Sequence, residues 1–94
     1  MYCVYIIYSK SIDSYYIGET IDVEERIEQH NTGFYDFAYT KQSKDWILFH
    51  KIQCDNRKQA RKIEAHIKKM KSKTYIQNLK RYPEITKKLK NLYK

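Results

Sequence analysis

Tyr2-Cys3-Val4-Tyr5-Ile6-Ile7-Tyr8 and Tyr15-Tyr16-Ile17-Gly18 are two runs rich in β-branched and aromatic residues, separated by the turn-like stretch Ser9 to Ser14. Together they read as a β-hairpin. A turn centred near Ser11 and Ile12 sets Ile7 opposite Tyr16 and Tyr5 opposite Gly18. Successive side chains alternate between faces, so Tyr5 and Tyr16 share one face as diagonal neighbours, about 7–8 Å apart at the backbone. Gly18 brings no side chain and leaves space opposite Tyr5. Two phenols beside a small vacancy can make a reaction site. Tyrosine is also simply a good strand residue, and this chain has 10 of them.

Charge and length bound the class. The 94 residues suffice for one domain with a modest core. Lys and Arg number 19 against 11 Asp and Glu, a formal net charge of +8. Such a positive field favours phosphate-rich partners, either nucleic acid or an anionic membrane. No apolar run approaches the roughly 20 residues that cross a bilayer, and Lys10 and Asp13 interrupt the apolar N-terminal run, so no signal peptide is expected. Lysines of the last helix lack the lipid-facing aromatics of a membrane-surface helix, which weakens the membrane reading. Cys3 and Cys54 are too few for a disulfide framework, lack metal-type spacing and read as reduced thiols of a cytoplasmic protein.

The rest of the chain alternates with helical patterns. Asp22 is an N-cap, with Glu25 placed to complete a capping box and Gly33 to stop the helix in a left-handed cap. Val23 and Ile27 form its apolar stripe. Phe34 to Lys44 reads as an irregular loop with aromatics at Phe34, Tyr35, Phe37 and Tyr39. Trp46 to Ile52 is a third strand, and Asp55 or Asn56 caps a long helix whose inner residues are Ala60, Ile63, Ile67 and Met70. A shorter helix spans about Tyr75 to Lys80. Pro83 opens a last one, over about 83–93, with Ile85, Leu89 and Leu92 inward. The expected fold is α/β of the α+β type: a small three-stranded antiparallel sheet flanked by helices, in the order β-β-α-β-α-α-α, as one domain over 1–94.

Three polar positions stand apart. Arg26 and His30, four residues apart, lie on one face of the first helix beside the Val23–Ile27 stripe. There an arginine can grip a phosphate oxygen and a histidine can move a proton; equally, both can be exposed residues paired with Glu25 or Glu28. Glu64 sits at the edge of the apolar stripe of the long helix, where a carboxylate is partly desolvated. It can pair with Lys68 or hold a divalent ion, since Mg²⁺ often takes one carboxylate, several waters and a phosphate oxygen.

Taken together, these residues resemble the GIY-YIG nuclease family. The second signature triad stands as Tyr16-Ile17-Gly18; the first appears as Cys3-Val4-Tyr5, keeping only its tyrosine. Arg26 follows Gly18 at the family's spacing, and the stretch from Arg26 to Asn31 is similar to its arginine-to-histidine segment. Thr40-Lys41 before Trp46, and Ala60-Arg61-Lys62-Ile63-Glu64 before Lys68, are similar to the compact single-domain bacterial members. The resemblance covers about residues 2–80.

It implies cleavage of phosphodiesters, usually in DNA, with one divalent metal, Mg²⁺ or Mn²⁺, held by Glu64. Tyr5, Tyr16, Arg26 and His30 are the other implied catalytic residues. Tyr5 would be a general base acidified by nearby positive charge, Tyr16 a hydrogen-bonding partner near nucleophile or phosphate, Arg26 a neutraliser of phosphate charge, and His30 an aid to proton movement. Members often carry a polar residue a dozen or so positions after the glutamate, and Gln77 and Asn78 are nearest, Asn78 suiting that role better. Larger relatives add recognition domains, so sequence-specific cutting is not expected of this stretch alone. Lys41, Lys44, Arg57, Lys58, Arg61, Lys62, Lys68, Lys69, Lys71 and Lys73 can track a DNA backbone, and Tyr39 with its loop neighbours can stack on unpaired bases. That combination suits branched or partly single-stranded repair or recombination intermediates. The alternative is a nucleic-acid-binding module of the same fold with weak or no catalysis.

Overall fold

Strands β1 (Cys3–Ser9) and β2 (Ser14–Thr20) form the expected hairpin in the expected register, with Tyr5 opposite Gly18 and Ile7 opposite Tyr16. The computed structural model describes residues 1–33 and 39–94. At the hairpin turn, Asp13 adopts a left-handed φ of 46° and accepts a hydrogen bond from the Tyr8 hydroxyl at 2.7 Å. Strand β3 (Ile47–Gln53) adds antiparallel to the other edge of β1, giving the order β2-β1-β3. As the central strand, β1 is covered on both faces: Val4, Tyr5, Ile6 and Ile7 are all buried.

Alternation along β1 splits the core in two. Val4 and Ile6 join Ile52 and the apolar stripes of α2 (Arg57–Met70), α3 (Lys73–Arg81) and α4 (Pro83–Leu92), through Ala60, Ile63, Ile67, Ile76, Leu79 and Leu89. On the opposite face, Tyr5 and Ile7 pack with Trp46 and with Val23 of α1 (Val23–Thr32). The element order is thus β-β-α-β-α-α-α, an α+β fold with helices on both faces of the sheet. No helix among the described residues is long and apolar enough to cross a membrane.

Local chemistry sets the helix ends. Asp22 accepts from the Glu25 backbone N–H at 3.1 Å and Gly33 closes α1 at φ 70°. The reciprocal half of the anticipated capping box is replaced by an i,i+4 contact, as Glu25 Oε1 accepts from Gln29 Nε2 at 3.4 Å. Asn56, rather than Asp55, caps α2, accepting from Gln59 N–H at 2.8 Å. Ser72 caps α3 through Tyr75 N–H at 3.0 Å, which starts this helix earlier than the apolar pattern suggested.

Two expected inner residues are outside. Met70 is 46% and Leu92 64% exposed. Each lies in the last turn of its helix, past Ile67 or Leu89, the last residue to reach the shared cluster. Of the expected 34–44 loop, residues 34–38 lie outside the described residues, so the stacking role given to Phe34, Tyr35 and Phe37 does too; Thr40–Gln42 forms a 3-10 turn. Beyond that turn, Asp45 accepts from Ser9 Oγ at 2.5 Å, from Ser11 N–H at 3.0 Å and from the Ser43 hydroxyl. These bonds staple the segment before β3 to the hairpin turn and hold the Asp45 carboxyl well below the usual carboxylate range.

Candidate active site

The α1 face of the sheet gathers most of the polar candidates. Val23, Ile27 and His30 fall at i, i+4 and i+7, so the third member of the apolar stripe is an imidazole. It is driven inward with the others and is buried at 2% exposure. There His30 Nε2 and the Tyr5 hydroxyl lie 2.8 Å apart, and His30 Nδ1 and the Thr40 hydroxyl 2.9 Å apart. Whichever tautomer is present, both ring nitrogens are partnered. Burial first, and then the Arg26 charge, lower the His30 pKa to about 4, so the ring is neutral at pH 7.

Thr40 was not among the site residues expected from sequence, yet it fixes the ring. Its carbonyl in turn accepts from Trp46 Nε1 at 3.0 Å. Asn31, next to His30, brackets the Trp46 backbone, donating to its carbonyl at 2.9 Å and accepting from its N–H at 2.7 Å. A chain of contacts therefore runs from the start of β3 through the 3-10 turn to His30 and Tyr5. The signal in the sequence was Thr40-Lys41 ahead of Trp46, whose meaning depends on a contact between α1 and the loop.

Tyr5 corrects two expectations. The space opposite it is not vacant, because its own ring lies over Gly18. A Cβ at Gly18 would meet Tyr5 Oη at 2.5 Å, Cζ at 2.6 Å and Cε1 at 2.8 Å. Nor is the phenol acidified. Burial, then the neighbouring Tyr16, push its pKa far above the ordinary tyrosine value, and the opposing pull of Arg26 is weaker than either. Glu64 and Glu19 raise it further.

Tyr16 shares the face with Tyr5, ring centroids 6.4 Å apart, and is the more exposed of the two phenols. Its ring meets His30 edge-on at 5.0 Å and stacks on Tyr39 at 6.1 Å. Lys68 Nζ stands 5.9 Å from the Tyr16 ring centroid and 2.7 Å from Glu64 Oε2. So α2, which packs on β2 and β1 from the other face, delivers Glu64 around the β2 edge to this corner. Arg26, half-buried, lines a cleft of about 190 Å³ with Thr20 and Gln29. Opposite charges from Arg26 and Glu64 are thus both felt at the Tyr5 phenol.

Asn78 lies on α3, whose buried Ile76 and Leu79 belong to the core beneath the opposite sheet face. Gln77 of α3 reaches β2, donating to the Tyr15 hydroxyl at 3.4 Å. Of the expected DNA contacts, Lys41, Lys44, Arg61, Lys68, Lys69 and Tyr39 are all exposed.

The donor set suits one kind of divalent ion. Glu64 is a single carboxylate, its side chain 20% exposed, and its partner is already a cation, Lys68. Among the described residues no group of three or more His, Cys, Asp or Glu converges as a cage. The fit is to an ion such as Mg²⁺ or Mn²⁺ that accepts one carboxylate and completes its shell with water and phosphate oxygens.

A family model described as the GIY-YIG catalytic domain matches residues 1–80. A UPF0213 protein of Syntrophus aciditrophicus (strain SB) is 38% identical over 69 residues, 73% of this chain and 79% of that protein. No solved structure matches the chain significantly.

Proposed function

Because the chain belongs to the GIY-YIG nuclease family, we propose that it is an endonuclease that hydrolyses phosphodiester bonds in DNA, dependent on Mg²⁺ or Mn²⁺ and selective for branched or partly single-stranded repair or recombination intermediates. One observation carries the reading. The Tyr5 phenol bonds to a neutral, buried His30 and sits beside Tyr16, within the fields of both Arg26 and Glu64.

Each group has a task in that reaction. Arg26, at the rim of its cleft, neutralises charge that accumulates on the phosphate as water attacks phosphorus. Tyr16, the more exposed phenol, meets the phosphate or the attacking water by hydrogen bond. Tyr5 is the base for that water, and His30 Nε2, in the tautomer that carries its proton on Nδ1, orients the phenol by accepting its hydrogen bond. Burial and then Tyr16 raise the Tyr5 pKa most. Glu64 is one of the charges raising it, and neutralising Glu64 removes that contribution. A divalent ion held by Glu64 would supply Lewis-acid polarisation of the phosphate and stabilise the leaving oxygen.

A second reading keeps the fold as a DNA-binding module without turnover. It draws on the Glu64–Lys68 ion pair at 2.7 Å, which satisfies the carboxylate internally, and on the burial of Tyr5. Purified protein assayed on duplex, single-stranded, flapped and branched DNA, with and without Mg²⁺ or Mn²⁺, separates the two. For the enzyme, Glu64→Gln should cut the rate by at least about a hundredfold while DNA binding persists. Cleavage that survives both chelation and this substitution removes the metal role of Glu64. Binding without cleavage of any substrate makes the module the correct reading.

A further inference from the structure

Away from the phenols, α2 and the end of α4 enclose a groove of about 740 Å³ lined by Lys62, Ala65, His66, Lys69, Met70 and Tyr93. Its floor is apolar and polarisable: Met70 is nearly half exposed, and Tyr93 and His66 meet edge to face at 5.7 Å. The His66 Nδ1–Tyr93 hydroxyl contact of 2.8 Å holds both rings. Every charged residue lining the groove is a lysine. A smaller apolar cavity shares His66 and adds Leu92 and a further cation, Lys88.

We propose that this groove is a second DNA-binding site that takes an unpaired nucleotide from a single-stranded flank of the substrate. The inference rests on the nuclease reading for its class of partner. Flat rings and a thioether accept a base through dispersion and stacking, whatever its sequence. Lys62 and Lys69 are seven residues apart, about 10 Å along the helix, and so can hold phosphates on either side of the seated nucleotide. A peptide of glutamates alone would satisfy the lysines but has no flat ring to offer the floor. Placement adds to the chemistry. Glu64 and Lys68 lie on one flank of α2, and Lys62 and Lys69 on another, separated by a helix about 10–12 Å across. A strand leaving the Tyr16–Glu64 corner crosses α2 beside exposed Arg61 and enters the groove within a few nucleotides.

The test measures binding by fluorescence anisotropy with three labelled probes: a blunt duplex, the same duplex with an oligo(dT) tail, and that duplex with an abasic tail of equal length. The wild type should bind the dT-tailed duplex at least fivefold more tightly than the blunt or abasic-tailed one. Met70→Ser, at an exposed position, and Tyr93→Ser should each remove that preference while binding to the blunt duplex changes less than twofold. Equal binding of dT-tailed and abasic-tailed probes overturns the proposal, as does a preference that survives both substitutions. So does a groove that binds a poly-glutamate peptide and not oligo(dT), with Met70 and Tyr93 as determinants. Cleavage is not a readout here. Loss of the nuclease reading appears instead as absent turnover on every substrate, with tail preference still measurable.

Discussion

Gly18→Ala tests whether the site is built as described. An extended strand tolerates alanine, and the exchange alone would stabilise by up to about 1 kcal/mol through the unfolded state. Space decides the outcome. The new Cβ would stand 2.5–2.8 Å from three atoms of the Tyr5 ring, about 1 Å inside ordinary contact. Tyr5 cannot simply swing away, being 1% exposed and tied to His30 at 2.8 Å. Overpacking of this kind costs about 1–3 kcal/mol, and orphaning His30 Nε2 in a buried place adds about 1–3 kcal/mol. The net expected loss is about 1–6 kcal/mol, read by urea denaturation with unchanged m-value. Cleavage should fall along with it, because the displaced phenol is the proposed base. In a Tyr5→Val background the cost of Gly18→Ala should shrink by more than half, a coupling that a double-mutant cycle isolates. A loss below about 0.5 kcal/mol, or an equal loss in both backgrounds, would refute the packing argument.

Three further outcomes are expected. His30 titrates near 4 in the folded protein against 6.5 unfolded; the unfolded chain therefore takes the proton first, and stability drops as pH falls through this window, by about 3 kcal/mol. Denaturation from pH 7.5 to 4.5 checks it, with His30→Gln flattening most of the slope; His50, lowered by burial and then by Lys80, adds in the same direction, whereas Asp13 and Asp45, with depressed carboxyls, act only at more acid pH. Thr40→Val, nearly isosteric, leaves His30 Nδ1 without its 2.9 Å partner, so about 1–3 kcal/mol of stability should be lost and cleavage should fall more than DNA binding. DNA affinity should decline linearly on a log–log plot against salt, with a shallower slope for the Lys68→Ala/Lys69→Ala protein; affinity indifferent to salt would point to a different partner.

Much of the fold was legible because it rests on local rules. The β-branched and aromatic runs Tyr2–Tyr8 and Tyr15–Gly18 marked the hairpin, and a turn centred near Ser11 and Ile12 set its register. Asp22, Gly33 and Pro83 marked helix ends through their own backbone chemistry. Tyr5, Tyr16, Arg26, His30 and Glu64 could be picked out as types and spacings. Their environments could not, because burial and contact are sums over distant parts of the chain. That Tyr5 fills the gap over Gly18, and is pushed up rather than acidified, depends on α1 closing over the sheet. That His30 is neutral depends on its burial and on the Arg26 charge, and its ring is held by Thr40, a residue of a separate segment. Met70 and Leu92 kept helical spacing yet lie outside, since periodicity says which way a residue points and not where its neighbour ends. Sequence by itself determined which groups are present and which share a face; the tertiary structure decided which of them are dry, partnered and charged, because those properties belong to the packed assembly and not to any one segment.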